Sequence, residues 1–151
     1  MKSEKKLKIE QIDNKVKNLP SNIAVPRTGW INAIRVTLGM SLSQLATRLR
    51  ITPQSVQELE QREANGSITL KKIQDAAAAM DMKLVYVLLP KAGSISQTIE
   101  AKAREKATEI VLRTSNSMKL EDQENNKARI KKAIDEKTEE LKREMPKFLW
   151  D

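Results

Sequence analysis

Signals that start and stop helices recur at short intervals between residues 28 and 80. Four hydroxyl side chains precede apolar-periodic runs and are placed to cap helix N-termini: Thr28, Ser41, Thr52 and Thr69. Pro53 follows Thr52 at the first helical position, where proline loses no hydrogen bond. Gly39 and Gly66 stand where the first and third of these helices should end. Start and stop signals at such short intervals predict a bundle of short helices.

The apolar residues of this region repeat at helical spacing. Each predicted helix has its own set: Ile31, Ile34 and Leu38; Leu42, Leu45, Ala46 and Leu49; Val56 and Leu59; Ala76 to Met80. The whole chain has only 4 glycines, 5 prolines and 3% aromatic residues, which argues against a sandwich or barrel with many turns. The sequence therefore predicts an all-α fold.

The segment KLVYVLLP, which begins at Lys83, departs from this pattern. Its β-branched and aromatic residues predict one short strand over residues 83–89, with Pro90 after it. A lone strand leaves its backbone donors unpaired, so the segment must find a neighbour. The candidates are the extended stretch Ile23–Val25 and the same segment of a second chain, of which we favour the second chain.

Helical patterns of another kind flank the bundle. Residues 4–19 place apolar residues at helical spacing among lysines and predict an amphipathic N-terminal helix. Pro20 and Pro26 interrupt helix and predict a linker or a short edge strand between them. Residues 96–113 and 120–144 have the composition of long helices with narrow apolar stripes, which need tertiary or partner packing. The predicted domains are the N-terminal helix and linker (1–26), the bundle with its strand (27–90) and a C-terminal helical extension (91–151).

The side-chain inventory excludes most enzyme chemistry. The chain has no cysteine and no histidine, which removes thiol nucleophiles, imidazole bases and the common zinc sites. We expect no catalytic activity, no metal and no cofactor. No secretory signal is present and no stretch approaches the roughly 20 apolar residues that span a bilayer, so we expect a cytoplasmic protein. The formal net charge of +8 is typical of chains that bind nucleic acid or another anionic surface.

The third predicted helix of the bundle combines a core side with an amide-rich side. At 100° per residue, Val56 and Leu59 fall on one side and glutamines with Glu58 gather on the other. This polar side is either an ordinary solvated exterior or a surface that reads bases, because a glutamine amide can both donate to and accept from adenine in the major groove. The preceding helix, joined through residues 50–52, gives helix-turn-helix spacing, in which the second helix enters that groove. The base-reading candidates are Gln54, Ser55, Gln57 and Glu58.

The stretch RVTLGMSLSQLATRLRITPQSVQELEQREANGSITLKKIQDAAAAMDMKL, residues 35–84, resembles the phage-repressor-like (Xre type) helix-turn-helix family. The resemblance implies a bundle of the phage-repressor type that binds double-stranded DNA as a transcriptional repressor. It also implies a structural pair between Arg35 of the first helix and Glu60 at the end of the recognition helix. Two positions depart from the family: Leu42 replaces a phosphate-binding glutamine, and Glu58 replaces a donor side chain. A carboxylate repels phosphates but accepts from cytosine N4, so we expect selective binding.

Contacts to phosphates are expected around the recognition helix. The candidates are Gln61, Arg62, Asn65, Lys71, Lys72 and Arg27. For each lysine the alternative is an ordinary solvated charge. The predicted strand resembles that of antitoxins which pair it across a dimer. We therefore expect a homodimer whose recognition helices read half-sites about 34 Å apart, or a multiple, in a palindromic operator.

The whole chain, including VPRTGWINAIR and the ending KFLWD, resembles a small family named mobile mystery protein A, found beside a Fic-domain protein. The resemblance implies an antitoxin-like autoregulator with a Fic-domain toxin as partner. Fic proteins are often restrained by a helix with Ser or Thr, then Glu four residues later, then Gly or Asn. Ser117 and Glu121 match the first part of this pattern, but Asp122 misses the last, and Ser96 with Glu100 matches equally well. The alternative for Glu121 is an ordinary helix glutamate.

Two other functions remain open at this stage. The flanking helices could neutralise a toxin while the bundle binds little DNA. An RNA-binding protein is disfavoured, because the chain lacks a platform of aromatic side chains on which unpaired bases stack. The apolar segment Phe148–Trp150 could cover the chain's own helices.

Overall fold

The computed structural model describes residues 2–115 and 123–151, and within these ranges the fold is all-α with no strand. Seven α-helices and one 3₁₀ helix occur in this described part: α1 Lys2–Val16, α2 Trp30–Thr37, α3 Leu42–Leu49, α4 Pro53–Asn65, α5 Leu70–Ala79, α6 Ile95–Ser115, α7 Gln123–Glu144 and the 3₁₀ helix Lys147–Trp150. The chain divides into two compact units. We call residues 20–87 the bundle unit, and residues 1–19 with 88–151 the flanking unit.

The bundle unit packs α2 to α5 around one apolar core. Its buried residues come from all four helices: Ile31, Leu45, Ala46, Val56, Ala76 and Met80. Both α4 and α5 pack against α2 and against α3. Val56 is the residue that α4 places in this core, and a fully buried valine contributes roughly 1.5–3 kcal/mol.

The predicted caps of α3 and α5 are confirmed. The Ser41 hydroxyl accepts from the Gln44 N–H at 3.1 Å, and Gln44 Oε1 accepts from the Ser41 N–H at 2.8 Å, which is a reciprocal capping box. Thr69 Oγ1 accepts from the Lys72 N–H at 3.3 Å. Gly66 ends α4 in the left-handed conformation with φ 81°, as its sequence position predicts.

The predicted cap of α2 is wrong. Thr28 does not cap this helix, because α2 begins after Gly29, which has φ 85° and makes no side-chain cap. Glu63 of α4 caps it instead, with Oε2 accepting from the Trp30 N–H at 2.8 Å and Oε1 accepting from the Ile31 N–H at 2.7 Å. A Cβ at position 29 would lie 2.7 Å from Glu63 Oε1, so the site needs glycine for space as well as for φ.

The predicted strand is not confirmed. Residues 82–90 belong to neither a helix nor a strand. A strand is defined by its hydrogen-bonded ladder, and no described segment, the stretch 23–25 included, forms such a ladder with it. Most apolar side chains of this segment are exposed, with Val85 at 75% and Leu88 at 92%.

The flanking unit has a core of its own between α6 and α7. Its buried residues are Ile99, Ala103, Ala107, Leu141 and Leu149. The two alanines put little bulk between the helices, which favours close approach. Leu149 is fully buried, so the end of the chain covers its own helices, whereas Phe148 and Trp150 remain 44% and 56% exposed.

Helix α1 belongs to the flanking unit and packs against α6. Asp13 links α1 to α6 by two hydrogen bonds. Its Oδ1 accepts from the Ile95 N–H at 2.7 Å and its Oδ2 accepts from the Ser96 N–H at 3.2 Å. A carboxylate in this position satisfies two unpaired donors of the α6 N-terminus and complements the helix dipole. Ile9 packs against the core of the unit, whereas Ile12 is 49% exposed, so α1 is held by few contacts.

Candidate nucleic-acid interface

Helix α4 turns one side to the core and the other to solvent. Val56 and Leu59 are buried on the inner side. Four exposed side chains share the outer side: Gln54, Gln57, Glu58 and Gln61. We call this outer side the polar edge of α4. These amides and this carboxylate are the groups that the sequence predicts on one side of the helix at 100° per residue.

The N-terminus of α4 is fixed by its own cap. Thr52 Oγ1 accepts from the Ser55 N–H at 3.1 Å, and Pro53 occupies the first helical position. The hydroxyls of Thr52 and Ser55 also lie 2.8 Å apart and share a hydrogen bond. Ser55 is half-buried, whereas the other three base-reading candidates are exposed. Its hydroxyl is bonded to the hydroxyl that caps the helix.

An ionic network ties the inner side of α4 to α2. Arg35 Nε and Nη2 donate to the two carboxylate oxygens of Glu60, and Asn32 Nδ2 donates to Glu60 Oε2 at 2.9 Å. Arg35 Nη1 donates to the Met40 carbonyl at 2.9 Å. The side chains of Arg35 and Glu60 are only 12% and 9% exposed. The structure thus brings together the two residues whose pairing the resemblance implies, and the network fixes how α4 sits on α2.

A cationic groove follows one flank of α4. It is open, has a volume of about 670 Å³ and contains Arg62 and Lys72, two of the predicted phosphate contacts. Arg48 at the end of α3 and Arg50 just after it line the same groove, and so does Glu58 of the polar edge. The groove and the polar edge are therefore adjacent surfaces of one helix.

The other predicted phosphate contacts are also exposed, Gln61 on the polar edge among them. Lys71 Nζ lies 3.9 Å from an Asp75 carboxylate oxygen, a loose pair between exposed side chains that solvent screens. Asn65 Oδ1 accepts from the Ser67 N–H at 3.0 Å and from the Ser67 hydroxyl at 2.6 Å, so it closes the turn after α4. Arg27 lies in the connection before α2.

The residues suggested for partner inhibition, Ser117 and Glu121, lie outside the described residues. For the equivalent match at Ser96 and Glu100, the structure shows contacts within the flanking unit. The Ser96 N–H donates to Asp13, and a Glu100 oxygen lies 3.6 Å from Lys142 Nζ. Both residues of this second match therefore take part in holding the unit together.

Sequence reasoning missed Glu63, Arg48 and Arg50. Glu63 gives no local signal, because the N–H groups that it caps are 33 and 32 positions away. Arg50 gives one signal in the sequence, its place between two predicted helices. It follows the last residue of α3, where the backbone turns left-handed with φ 58° and ψ 40° and where glycine is usual.

Within the described ranges, no cluster of three or more acidic or other metal-binding side chains is placed to hold a metal ion. None of the helices that the structure describes combines the length and apolar character needed to cross a lipid bilayer. No protein-family model, curated protein or solved structure matches the chain. The chemistry of the interface is therefore inferred from its own geometry.

Proposed function

We propose that the chain is a sequence-specific transcriptional repressor that binds double-stranded DNA through α3 and α4 as a helix-turn-helix. The observation that carries this proposal is the exposed polar edge of a helix whose inner side is buried. A helix that reads bases must be held firmly and must present donors and acceptors outward. Thr52 fixes the start of α4 and the Arg35–Glu60 pair fixes its inner side, which supports such a role.

The polar edge carries groups that suit base recognition. Gln54 lies in the first turn of α4, the end that enters the major groove in this geometry, and its amide matches adenine N6 and N7. Gln57 lies three residues further along the same edge. The Glu58 carboxylate accepts from cytosine N4 and repels phosphates, which favours selective over nonspecific binding. The Ser55 hydroxyl keeps hydrogen-bonding capacity beside its bond with the Thr52 hydroxyl, so a contact to a base does not require that bond to break.

Residues around this edge are proposed to contact the phosphates: Gln61, Arg62, Asn65, Lys71, Lys72 and Arg27. Such contacts carry no sequence information but set the register of the helix on the duplex. Each phosphate that is neutralised makes binding more dependent on salt, by about 0.9 in the slope of log affinity against log salt. The salt slope therefore counts these contacts independently of base recognition.

The proposed active form is a homodimer paired through residues 83–89. Two observations support the proposal. The backbone of this segment forms no strand hydrogen bonds with described residues, and the side chains of Val85, Tyr86 and Leu88 are exposed. Pairing with the same segment of a second chain would satisfy backbone donors and cover apolar surface. A two-fold pair of α4 helices would then read half-sites about 34 Å apart, or a multiple, in a palindromic operator.

A second candidate function, neutralisation of a toxin, is favoured by an apolar groove of about 420 Å³ on the flanking unit. Apolar residues form most of its lining: Leu88, Leu89, Pro90, Ala92, Ile95 and Ala101. An exposed apolar surface of this kind suits a protein partner. An antitoxin-like autoregulator with a Fic-domain partner would use both units, whereas a purely toxin-neutralising protein would use the flanking unit alone.

A mobility-shift titration of the full chain tests the DNA-binding proposal. The probes are the DNA upstream of its own gene and a random duplex of equal length. Gln54→Ala should reduce the preference for the operator by roughly 1–3 kcal/mol per half-site, while Lys71→Ala should weaken both duplexes alike and lower the salt slope by about 1 per protomer. Gln11→Ala, at an exposed glutamine of α1, is the matched control and should change neither. Equal losses on both duplexes for Gln54→Ala would contradict base recognition.

Co-purification with the product of the neighbouring gene tests the second candidate. Ala101→Asp places a charge in the groove of the flanking unit and should abolish capture. Ala128→Asp makes the same change at an exposed position of α7 and should leave capture intact. Capture of the partner by a chain that shifts no duplex, even at low salt, would favour the second candidate over the first.

A further inference from the structure

Arg50 holds a backbone conformation that most L-amino acids avoid. Its φ is 58° and its ψ is 40°, and its N–H donates to the carbonyls of Ala46 and Thr47. The next N–H, that of Ile51, donates to the Ala46 carbonyl at 3.0 Å. These bonds form a helix end of the Schellman type, in which glycine is the usual left-handed residue. An arginine in this position carries a conformational cost that glycine would avoid.

Local structure does not account for the choice of arginine. Two other described non-glycine residues are left-handed, Asp81 with φ 59° and Met145 with φ 47°. A short polar side chain such as aspartate tolerates this conformation, and the Met145 side chain packs against the core of the flanking unit, whereas the Arg50 side chain has neither property. Arg50 is exposed, and no ion pair between described residues involves it. An unfavourable backbone conformation that is kept at the surface points to a function of the side chain.

The surroundings of Arg50 show what this side chain can bind. Four cationic side chains line the groove beside α4: Arg48, Arg50, Arg62 and Lys72. Only Glu58 and Asp75 oppose them there, so positive charge is in excess. Arg48 is anchored, because its Nη1 donates to the Ala79 carbonyl at 3.2 Å. The groove therefore suits an extended anion that follows the flank of α4.

We infer that Arg50, together with Arg48, binds the phosphodiester backbone of the duplex whose bases the polar edge of α4 contacts. This inference rests on the proposed function. A helix in the major groove has a phosphate strand along each flank. The cationic groove occupies one flank of α4 and shares Glu58 with the polar edge, so the strand on that side passes the two arginines. An arginine at the left-handed position supplies a guanidinium there, and a glycine would supply none.

Arg50→Gly distinguishes a phosphate contact from a structural role. If Arg50 binds a phosphate, the variant should lose DNA affinity without losing thermal stability. Glycine relieves the left-handed backbone, so the melting temperature should stay the same or rise. Loss of one phosphate contact should lower the salt slope by about 0.9 per protomer. Measured against about 1 M salt, each lost contact weakens binding about fivefold at 0.15 M and about 15-fold at 0.05 M, and a dimer that loses two contacts shows these factors squared. Operator and random duplex should lose affinity equally.

Three further variants complete the experiment. Arg50→Asn, a residue that tolerates the left-handed conformation, should bind as weakly as Arg50→Gly. Arg50→Lys keeps the charge and should retain most of the affinity. Arg129→Ala removes the same charge from an exposed position of α7 and should leave the salt slope unchanged.

The outcomes distinguish this inference from the proposed function. If the wild-type chain binds no duplex even at about 0.05 M salt, the proposed function is wrong and this contact falls with it. If the wild-type chain binds the duplex and Arg50→Gly has the same salt slope, only the role of Arg50 is wrong. The role is also wrong if Arg129→Ala lowers the slope equally. A lower melting temperature in both Arg50→Gly and Arg50→Asn would likewise assign Arg50 to the fold.

Discussion

Replacing Glu60 with alanine would measure how strongly the ionic network between α2 and α4 stabilises the bundle unit. Glu60 accepts hydrogen bonds from Arg35 Nε and Nη2 and from Asn32 Nδ2, and its side chain is 9% exposed. Its removal leaves the Arg35 guanidinium with the Met40 carbonyl as its remaining partner in the described structure. Removal of one member of a buried pair costs about 3–5 kcal/mol. We expect about 3 kcal/mol, since neither side chain is completely buried.

Urea unfolding followed by far-UV circular dichroism would measure this loss. Glu58→Ala is the matched control, because it makes the same change on the same helix at an exposed position. The change in helix propensity then cancels, and Glu58→Ala should alter the free energy of unfolding by no more than about 0.5 kcal/mol. The dependence of unfolding on urea concentration should stay the same in both variants, since each exposes the same surface on unfolding.

A double-mutant cycle with Arg35→Met would test whether the loss belongs to the pair. In Glu60→Ala the guanidinium is left buried without its counter-charge, whereas the double variant buries no unpaired charge. The double variant should therefore lose less stability than the sum of the single variants, by about 1.5–3 kcal/mol. Additive losses, or a Glu60→Ala variant as stable as Glu58→Ala, would refute the role assigned to this network.

Two further predictions concern Gly29, which precedes α2, and the segment 83–89. Gly29→Ala should cost about 2–4 kcal/mol in urea unfolding, because its Cβ would displace the Glu63 oxygen that caps α2. Gly39 also has a positive φ, but an added Cβ would meet no atom within 4 Å, so Gly39→Ala measures the backbone cost alone. Equal losses of stability at both glycines would show that displacement of Glu63 adds nothing. Val85→Glu should convert the proposed dimer to a monomer in sedimentation equilibrium, since a charge in a paired strand opposes association. Val36→Glu, at another exposed valine, should leave the dimer intact, and a wild-type chain that is monomeric at every concentration would reject the dimer.

Signals that act within one helical turn were sufficient to predict much of the bundle unit. Ser41, Thr52 and Thr69 cap α3, α4 and α5, and Gly66 ends α4. The polar edge of α4 was also visible, because 100° per residue decides which side chains share a side once a helix forms. These inferences succeed because the atoms involved are separated by three or four residues, so local geometry determines whether they meet.

The tertiary structure alone decided which carboxylates cap α2 and α6. Glu63 caps α2 across 33 positions of the chain, and Asp13 caps α6 across 82. In the sequence both are indistinguishable from solvated acidic residues. The same holds for the segment 83–89, whose composition favours a strand although a strand forms only where a second segment can accept its hydrogen bonds. In each case the sequence determines what a group can bond to, and packing determines whether a partner is within reach.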